Sequence, residues 1–170
     1  MTQPGSPFHI HRIVQAPREA VWRAYTEQEP LMAWFGPRGF ALPHCQYDFR
    51  VGGSFHYCLR TPTGFEMWGK WQFLDIAPPQ RLRMIVSFSD AQGGLTRHPL
   101  SPSWPLHTLS DTTFTDLGDG TTRIDITWSA HEATPEEAAV FAASHASLTQ
   151  GCNGTFDQLE AYLAQPRATP

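Results

Sequence analysis

Six segments in the middle of the chain alternate between apolar and polar residues, and this pattern constrains the fold more than any other feature. The segments form three pairs, and each pair is separated by a short turn, at residues 51–53, 77–80 and 118–120. Alternation with a period of two is typical of strands that bury one face, and turns this short join antiparallel neighbours. The six predicted strands are 45–50, 54–60, 66–76, 81–89, 109–117 and 121–130.

The segments before these pairs predict one more strand and two helices. Phe8–Val14 alternates and predicts the first strand. Residues 16–27 have helical periodicity, with Pro17 at a natural first-turn position. Residues 28–35 predict a second, short helix that ends at Gly36-Pro37, a strong stop signal.

The end of the chain predicts one long amphipathic helix. Thr134, Pro135 and Glu137 form an N-cap, a first-turn proline and the acidic member of a capping box. Gly151 and Gly154 each cost about 1 kcal/mol relative to Ala inside a helix, which suggests a bend or a close approach to another surface. The apolar stripe of this helix is Phe141, Leu148, Cys152, Phe156, Leu159 and Leu163.

The resulting order is β-α-α-β6-α, and it predicts the α+β class. Six meandering strands require an antiparallel sheet, and the long helix is available to cover one of its faces. A chain of 170 residues fits one domain. We expect that domain at residues 8–164, with flexible tails at 1–7 and 165–170.

Composition excludes several classes of function. The formal net charge is −4 and no basic stripe is present, which argues against nucleic-acid binding. The apolar runs are far shorter than the roughly 18 residues of a membrane span, and the first residues lack a secretory signal, so we expect a cytoplasmic protein with no membrane contact. Cys45, Cys58 and Cys152 have no metal-binding spacing and are expected as free thiols. No metal or cofactor is expected.

Five phrases, taken in order, are similar to the recurring phrases of a known family. They span the chain from Phe8 to Leu163 and read "APREAVWRAYTE", "WFGPRGF", "VGGSFHY", "FLDIAPPQRL" and "GTFDQLEAYLA". They resemble the START/Bet v 1-like (SRPBCC) superfamily, in the branch named for the activator of the 90-kDa heat-shock-protein ATPase. The resemblance implies a helix-grip fold, in which a curved seven-stranded antiparallel sheet wraps around the C-terminal helix and encloses a hydrophobic cavity. Many relatives carry Trp where this chain has Cys152, which would enlarge or reshape that cavity.

The resemblance implies three candidate functions. Superfamily members bind lipids, hormones or polyketides, which favours a binding protein for a small hydrophobic or aromatic ligand. Some members catalyse cyclisation or hydrolysis without a cofactor. The eukaryotic namesake stimulates a chaperone, but much of its chaperone contact comes from a separate N-terminal domain with no counterpart in this sequence. A chaperone-interacting module is therefore the third alternative.

The candidate ligand-binding residues are mainly aromatic. Trp68 and Trp71 are three residues apart, so a regular strand would place them on opposite faces, whereas a β-bulge at Gly69 would bring both inward. Both arrangements stay open. The complete set is Trp34, Phe55, Tyr57, Trp68, Trp71, Met84, Phe88, Arg97, Trp104, Phe114, Trp128, Phe141, His145 and Cys152.

The sequence contains no catalytic motif, so an enzyme is the less favoured class. His145 is the best catalytic candidate because it follows Phe141 by four residues and faces inward; a core histidine bonded to a hydroxyl or carbonyl is the alternative. The pairs His9/His11 and His56/Cys58 lack further metal ligands, and the histidines are expected at the surface. Glu136 and Glu137 are attributed to the helix cap.

The proline-rich stretch at residues 97–106, within a longer insertion at 91–107, fits neither a strand nor a helix. Three prolines stiffen it, and Leu100 and Trp104 give it an apolar side. It could cover the mouth of the cavity, with Arg97 reaching an anionic group. A homodimer contact or a loop packed flat on the sheet edge are the alternatives.

Overall fold

A curved antiparallel sheet faces a C-terminal helix in the computed structural model, which describes residues 6–36 and 39–165. The alternation pattern predicts an α+β fold, the family resemblance implies the helix-grip arrangement, and both are confirmed. In chain order the elements are β1 (Phe8–Val14), α1 (Arg18–Thr26), α2 (Gln28–Trp34), β2 (Ala41–Tyr47), β3 (Ser54–Arg60), β4 (Glu66–Ala77), β5 (Arg81–Ser89), β6 (Leu95–Thr96), β7 (His107–Asp116), β8 (Thr122–His131), α3 (Pro135–Ala143) and α4 (His145–Leu163).

Seven strands form the main sheet, in the order β1-β8-β7-β5-β4-β3-β2, and every neighbouring pair is antiparallel. The two-residue strand β6 pairs only with the end of β5, so the insertion adds a short eighth strand. The largest boundary shifts are in β2, which runs from Ala41 to Tyr47, and in β7, which begins at His107. Most of the predicted tails, and Pro37 of the predicted stop, lie outside the described residues.

The core lies on the face of the sheet that points towards α4, which we call the inner face. Full burial of a large apolar side chain stabilises a fold by about 1.5–3 kcal/mol, so this layer supplies much of the driving force for folding. Its fully buried large side chains include Phe55, Phe73, Leu82, Phe114 and Ile124 from the strands and Phe141, Phe156 and Leu159 from the helices.

Arg12 fixes the C-terminal half of α4 against β1. Its guanidinium donates to Asp157 Oδ1 and Glu160 Oε1, each at 3.0 Å. The same group lies over the ring of Phe156, 5.2 Å from the ring centre. An arginine can bind a carboxylate and an aromatic face at once because its charge is spread over a plane. This contact holds the helix at the edge of the sheet.

The prediction of one continuous C-terminal helix is wrong, because Ser144 divides it into α3 and α4. Ser144 has φ −99° and ψ 4°, and its hydroxyl donates to the carbonyl of Val140 at 2.8 Å. Its N–H donates to the carbonyl of Phe141, three residues back, which tightens the last turn of α3. The break is not at Gly151 or Gly154, which lie inside α4.

Candidate functional site

A cavity of about 290 Å³ lies between the inner face of the sheet and α4. Strands β3, β4, β5, β7 and β8 form one wall, α4 forms the other, and residues of α1 and α2 close one end. No charged side chain is among its lining residues. These are Tyr25, Trp34, Phe35, Gly36, Tyr57, Leu59, Trp71, Met84, Val86, Ser110, Thr112, Ile126, Trp128, Ser147, Leu148, Gly151, Cys152, Thr155 and Phe156.

Aromatic rings meeting edge to face form one end of the cavity. Tyr25 and Trp34 are 4.8 Å apart between ring centres, and Phe35 lies 4.9 Å from Tyr57 and 5.2 Å from Trp71. The indole N–H of Trp34 donates to a backbone carbonyl of α1 at 2.9 Å, which fixes the ring. Edge-to-face pairs are more favourable than stacked sandwiches, so this wall has a defined shape.

Gly69 leaves room for the ring of Tyr57. The two residues face each other across β3 and β4, and a Cβ atom at Gly69 would lie 2.5 Å from Cζ of Tyr57. The tyrosine ring therefore covers the glycine of the neighbouring strand, as in sheets where an aromatic side chain protects a glycine. This packing accounts for Gly69 without a bulge.

The prediction that Trp68 could face the cavity is wrong. The pairing of β3 with β4 is regular from Ser54–Gln72 to Arg60–Glu66, so the alternation continues through Gly69. Trp68 lies on the opposite face of the sheet, which we call the outer face. There its ring is 5.3 Å from that of His56.

Hydroxyl groups supply most of the polarity in the cavity. Ser110 and Thr112 are buried on the inner face of β7, and Ser147 and Thr155 belong to α4. The indole N–H of Trp128 donates to Oγ of Ser110 at 2.9 Å. The cavity can therefore orient a ligand by hydrogen bonds, while it offers no charge to pair with one.

Acidic groups in the cavity are held in their neutral forms. Burial raises the pKa of Tyr57 and of the Cys152 thiol, each to about 12. Burial also raises the pKa of Tyr25, and the nearby Cys152 adds to this effect. A low-dielectric environment penalises the charged form of each group. Cys152 is therefore a thiol at neutral pH and a poor nucleophile.

His145 lies beside the cavity, and it is not among the lining residues. Its ring packs between Phe8 and Phe141, 5.6 and 5.5 Å away between ring centres. Its Nε2 atom is buried and has no hydrogen-bond partner among the described residues. Phe8 also contacts Trp128, so one aromatic ring separates the histidine from the cavity wall. The role of His145 as a catalytic base stays a prediction.

The proline-rich segment is attached to α3 and does not line the cavity. Arg97 donates to Oε1 of Glu137 at 2.6 Å, and Ser103 donates to Oε1 of Glu136 at 3.0 Å. Trp104 packs 5.5 Å from the ring of Phe141. The predicted cap is present with Glu137 as its acidic member, and each of the two acids also bonds to the proline-rich segment. Oε2 of Glu137 accepts the N–H of Thr134 and completes the capping box. Oε1 of the same carboxylate is oriented by its hydrogen bond from Arg97.

The structure brings together six of the fourteen predicted binding residues at the cavity: Trp34, Tyr57, Trp71, Met84, Trp128 and Cys152. Phe55, Phe114 and Phe141 are fully buried in the core. The remaining five, which contact other parts of the fold, are Trp68, Phe88, Arg97, Trp104 and His145. That any of these residues binds a ligand stays a prediction.

The outer face contains a cluster of rings around Trp68. His44 is 5.0 Å from His56 and 5.2 Å from Trp68 between ring centres. His56 is buried, and its Nε2 bonds to the carbonyl of Asp90, so the expectation of a surface position is wrong for His56. Among residues 6–36 and 39–165, no three His, Cys, Asp or Glu side chains are arranged to hold a metal ion.

The comparisons with known proteins agree with this fold. The chain matches the family described as activator of Hsp90 ATPase homolog 1-like protein over residues 15–164. The chain belongs to this family. Among curated proteins, none matches it. In the part of the chain that the structure describes, no helix is long and apolar enough to cross a membrane.

Three solved structures are similar to this fold. Protein Ms6760 from Mycobacterium smegmatis is 20% identical over 95% of this chain and 93% of its own, with a TM-score of 0.75. A protein from Arthrobacter aurescens is 24% identical over 94% of this chain and 87% of its own, with a TM-score of 0.76. A protein from Rhodobacter sphaeroides is 22% identical over 98% of this chain and 99% of its own, with a TM-score of 0.75. Identities this low show the fold alone.

Several lining residues of this family member were not predicted from the sequence. Ser110 and Thr112 alternate with outward residues of β7 and share the inner face with Phe114, so strand periodicity could have identified them. Phe35 follows the end of α2, and its direction depends on how that helix packs against the sheet. Periodicity carries no signal for such a residue.

Proposed function

We propose that this protein binds a small, mainly apolar molecule with an aromatic ring in the cavity between α4 and the sheet. The observation that supports this most directly is the lining, which is apolar and aromatic and includes no charged side chain. Binding sites for small molecules are typically lined in this way, with a few polar groups that fix orientation.

The size of the cavity narrows the class of ligand. A volume of about 290 Å³ is near the lower limit of the range for ligand pockets, about 300–1,000 Å³. A molecule with one or two fused rings matches this volume better than a sterol or a long-chain lipid. Trp71 and Trp128 lie on the sheet wall and Trp34 lies at the end closed by α1 and α2, so a flat ligand can contact indole rings from more than one side.

The chemistry of the lining favours binding over catalysis. Cys152 is held as a neutral thiol, because burial raises its pKa to about 12. His145, the best candidate for a general base, lies outside the lining. Among the described residues that line the cavity, the side chains that could transfer a proton are hydroxyls and this thiol, which are weak acids and bases at neutral pH.

A thermal-shift screen with a matched pair of variants tests the proposal. Gly151 lines the cavity and Gly154 does not, yet both lie in α4 with open space around an added Cβ. The panel comprises 2-acetylnaphthalene, 2-naphthol, a flavonoid, a fatty acid and a sterol. A ligand at 100 times its Kd stabilises the native state by about 2.7 kcal/mol, which raises Tm by several degrees.

We expect a two-ring compound to raise Tm in the wild type and in Gly154→Leu, and to lose this effect in Gly151→Leu. The proposal fails if no compound shifts Tm in a protein that melts cooperatively. It also fails if the two leucine variants respond to the ligand equally, because binding would then be elsewhere.

The family description supports a second candidate, an interaction with the chaperone whose ATPase gives the family its name. The test is the rate of ATP hydrolysis by a bacterial Hsp90 with and without this protein. Stimulation that is equal for the wild type and Gly151→Leu would support a chaperone role that is independent of the cavity. No stimulation at saturating concentration would exclude this candidate.

A further inference from the structure

Ser110 is the polar group in the cavity whose hydrogen-bonding role is best defined. It is 4% exposed, and its Oγ accepts a hydrogen bond from Nε1 of Trp128 at 2.9 Å. A hydroxyl oxygen that accepts an N–H still has its own hydrogen to donate. Within the described residues, no acceptor takes that hydrogen. The indole of Trp128 therefore orients Ser110 as a donor at the cavity wall.

Thr112 provides a second hydroxyl on the same wall. It is the next inward-facing residue of β7, because side chains of a strand alternate between its two faces. Thr112 lines the cavity and is 4% exposed, and within the described ranges its hydroxyl has no hydrogen-bond partner. An oxygen atom of a ligand placed against β7 can thus meet two neighbouring hydroxyl groups.

The surroundings of these hydroxyls disfavour a negative charge. No Lys, Arg or His lines the cavity, so an anion would be buried without a partner. The rise in the pKa of Tyr57 and Cys152 reports the same cost for groups that the protein itself contains. A carboxylate ligand would incur the same cost of burying a negative charge.

We propose that the cavity selects uncharged aromatic molecules that carry a hydrogen-bond acceptor, such as a ketone or ether oxygen, and that Ser110 donates its hydroxyl hydrogen to this acceptor. The inference rests on the proposed function and names the ligand class of the same site. It assigns Ser110 a role in selecting the ligand, and Trp128 a role in orienting Ser110.

Three probes of nearly equal shape separate the effect of a hydrogen-bond acceptor from the effect of a negative charge. 2-Isopropylnaphthalene has no acceptor, 2-acetylnaphthalene has a neutral acceptor, and 2-naphthoate has an anionic one. Calorimetric titration of the full-length wild-type protein should show 2-naphthoate binding at least tenfold more weakly than 2-acetylnaphthalene. This comparison needs no substitution, so it does not depend on the folding of a variant.

Ser110→Ala should weaken the binding of 2-acetylnaphthalene roughly tenfold, as expected for one lost hydrogen bond, and leave 2-isopropylnaphthalene unchanged. Ser129→Ala removes a hydroxyl from the outer face of β8, next to Trp128 in the chain, and is the matched control because Ser129 does not line the cavity. We expect this control to bind all three probes as the wild type does.

The outcomes separate the inference from the proposed function. If the two neutral probes bind but Ser110→Ala affects them equally, the role of Ser110 is wrong and the binding function stands. If 2-naphthoate binds as tightly as 2-acetylnaphthalene, the selection for uncharged ligands is wrong. If none of the probes binds to the wild-type protein, both the inference and the proposed function fail.

Discussion

Trp68 and Trp71 lie three residues apart on β4, and their surroundings show how differently the two faces of the sheet are built. Trp71 is buried on the inner face, with its ring 5.0 Å from that of Phe55, and it borders the cavity. Trp68 lies on the outer face against the rings of His44 and His56. One indole borders the cavity, whereas the other packs against the protein's own side chains and is partly exposed.

The two faces also differ in charge. On the outer face Arg81 pairs with Asp111 across neighbouring strands, and Arg123 pairs with Asp125 along β8. Exposed pairs of this kind contribute little to stability, but they keep that face hydrated. The cavity on the inner face has no charged lining. The same strands thus present charged pairs on one side and an apolar cavity on the other. Substitutions on the two faces should therefore change the free energy of unfolding by different amounts.

The largest difference between the faces should appear when an apolar side chain is removed. Phe55 is fully buried on the inner face, so Phe55→Ala should lower the free energy of unfolding by about 3–5 kcal/mol. Ile13 lies on the outer face of β1 and is 47% exposed, and Ile13→Ala should change this free energy by about 0.5 kcal/mol or less. Urea denaturation followed by circular dichroism measures both. Equal losses would show that the inner face is not the core.

A methyl group added at Gly69 should have the next largest effect. Gly69→Ala forces the ring of Tyr57 to move, and overpacking of this kind costs about 1–3 kcal/mol. In a Tyr57→Ala background the same substitution should cost almost nothing, because the clashing ring is gone. A double-mutant cycle in urea measures this coupling. If the cost is the same in both backgrounds, the ring of Tyr57 is not what requires a glycine.

Alkaline pH should lower the free energy of unfolding, and the buried Cys152 thiol on the inner face should contribute to this loss. The pKa of Cys152 is raised from 9.0 to about 12, so above about pH 9 the unfolded chain loses this proton while the folded chain keeps it. The contribution of this thiol to the free energy of unfolding is therefore fully present below pH 9. It is lost as the pH rises towards 12, by at most about 1.4 kcal/mol per pH unit. On the outer face the pKa of Cys58 rises only to about 11.

Urea midpoints measured between pH 8 and pH 10.5 test this expectation. Cys152→Ala should flatten the decline relative to the wild type, because the unfolded thiol titrates near pH 9 while the folded one stays protonated. A steeper decline in Cys152→Ala than in the wild type would contradict the assignment, because removing a group with a raised pKa cannot add to the slope.

The smallest expected effect concerns the two glycines of α4. Gly151→Ala and Gly154→Ala should each raise the free energy of unfolding by about 0.4–1 kcal/mol, because an added Cβ meets open space and the unfolded chain loses freedom. Only the first substitution adds an atom at the cavity. Thermal melts of the two variants, with and without 2-acetylnaphthalene, should show equal gains in stability and a weaker ligand response only in Gly151→Ala.

Periodicity and turn residues were sufficient to predict the order of the seven main strands and of the two N-terminal helices. Phe8–Val14 is the first strand as predicted, and the three strand pairs follow from alternation and short turns. The capping box at Thr134 and Glu137 is also present. These features could be predicted because each depends on residues close together in the chain.

Features that depend on distant contacts were not predictable in the same way. The break at Ser144 comes from a side chain that bonds to its own helix, which has no apolar periodicity to reveal it. The pairing of Arg97 with Glu137 joins residues 40 positions apart. The need for Gly69 follows from the ring of Tyr57 on the neighbouring strand, and from the sequence alone a bulge explained that glycine equally well.

The six tryptophans offer the most direct test of the central claim, that the inner-face cavity binds the ligand. Trp34, Trp71 and Trp128 line the cavity, and Trp22, Trp68 and Trp104 do not. The measurement is a titration with 2-acetylnaphthalene followed by the indole N–H signals in a ¹H–¹⁵N correlation spectrum, assigned with single Trp→Phe variants. We predict large, saturable shifts for the three cavity indoles and small ones for the other three. Shifts centred on Trp68 or Trp104, or no shifts at a saturating concentration of ligand, would contradict the account.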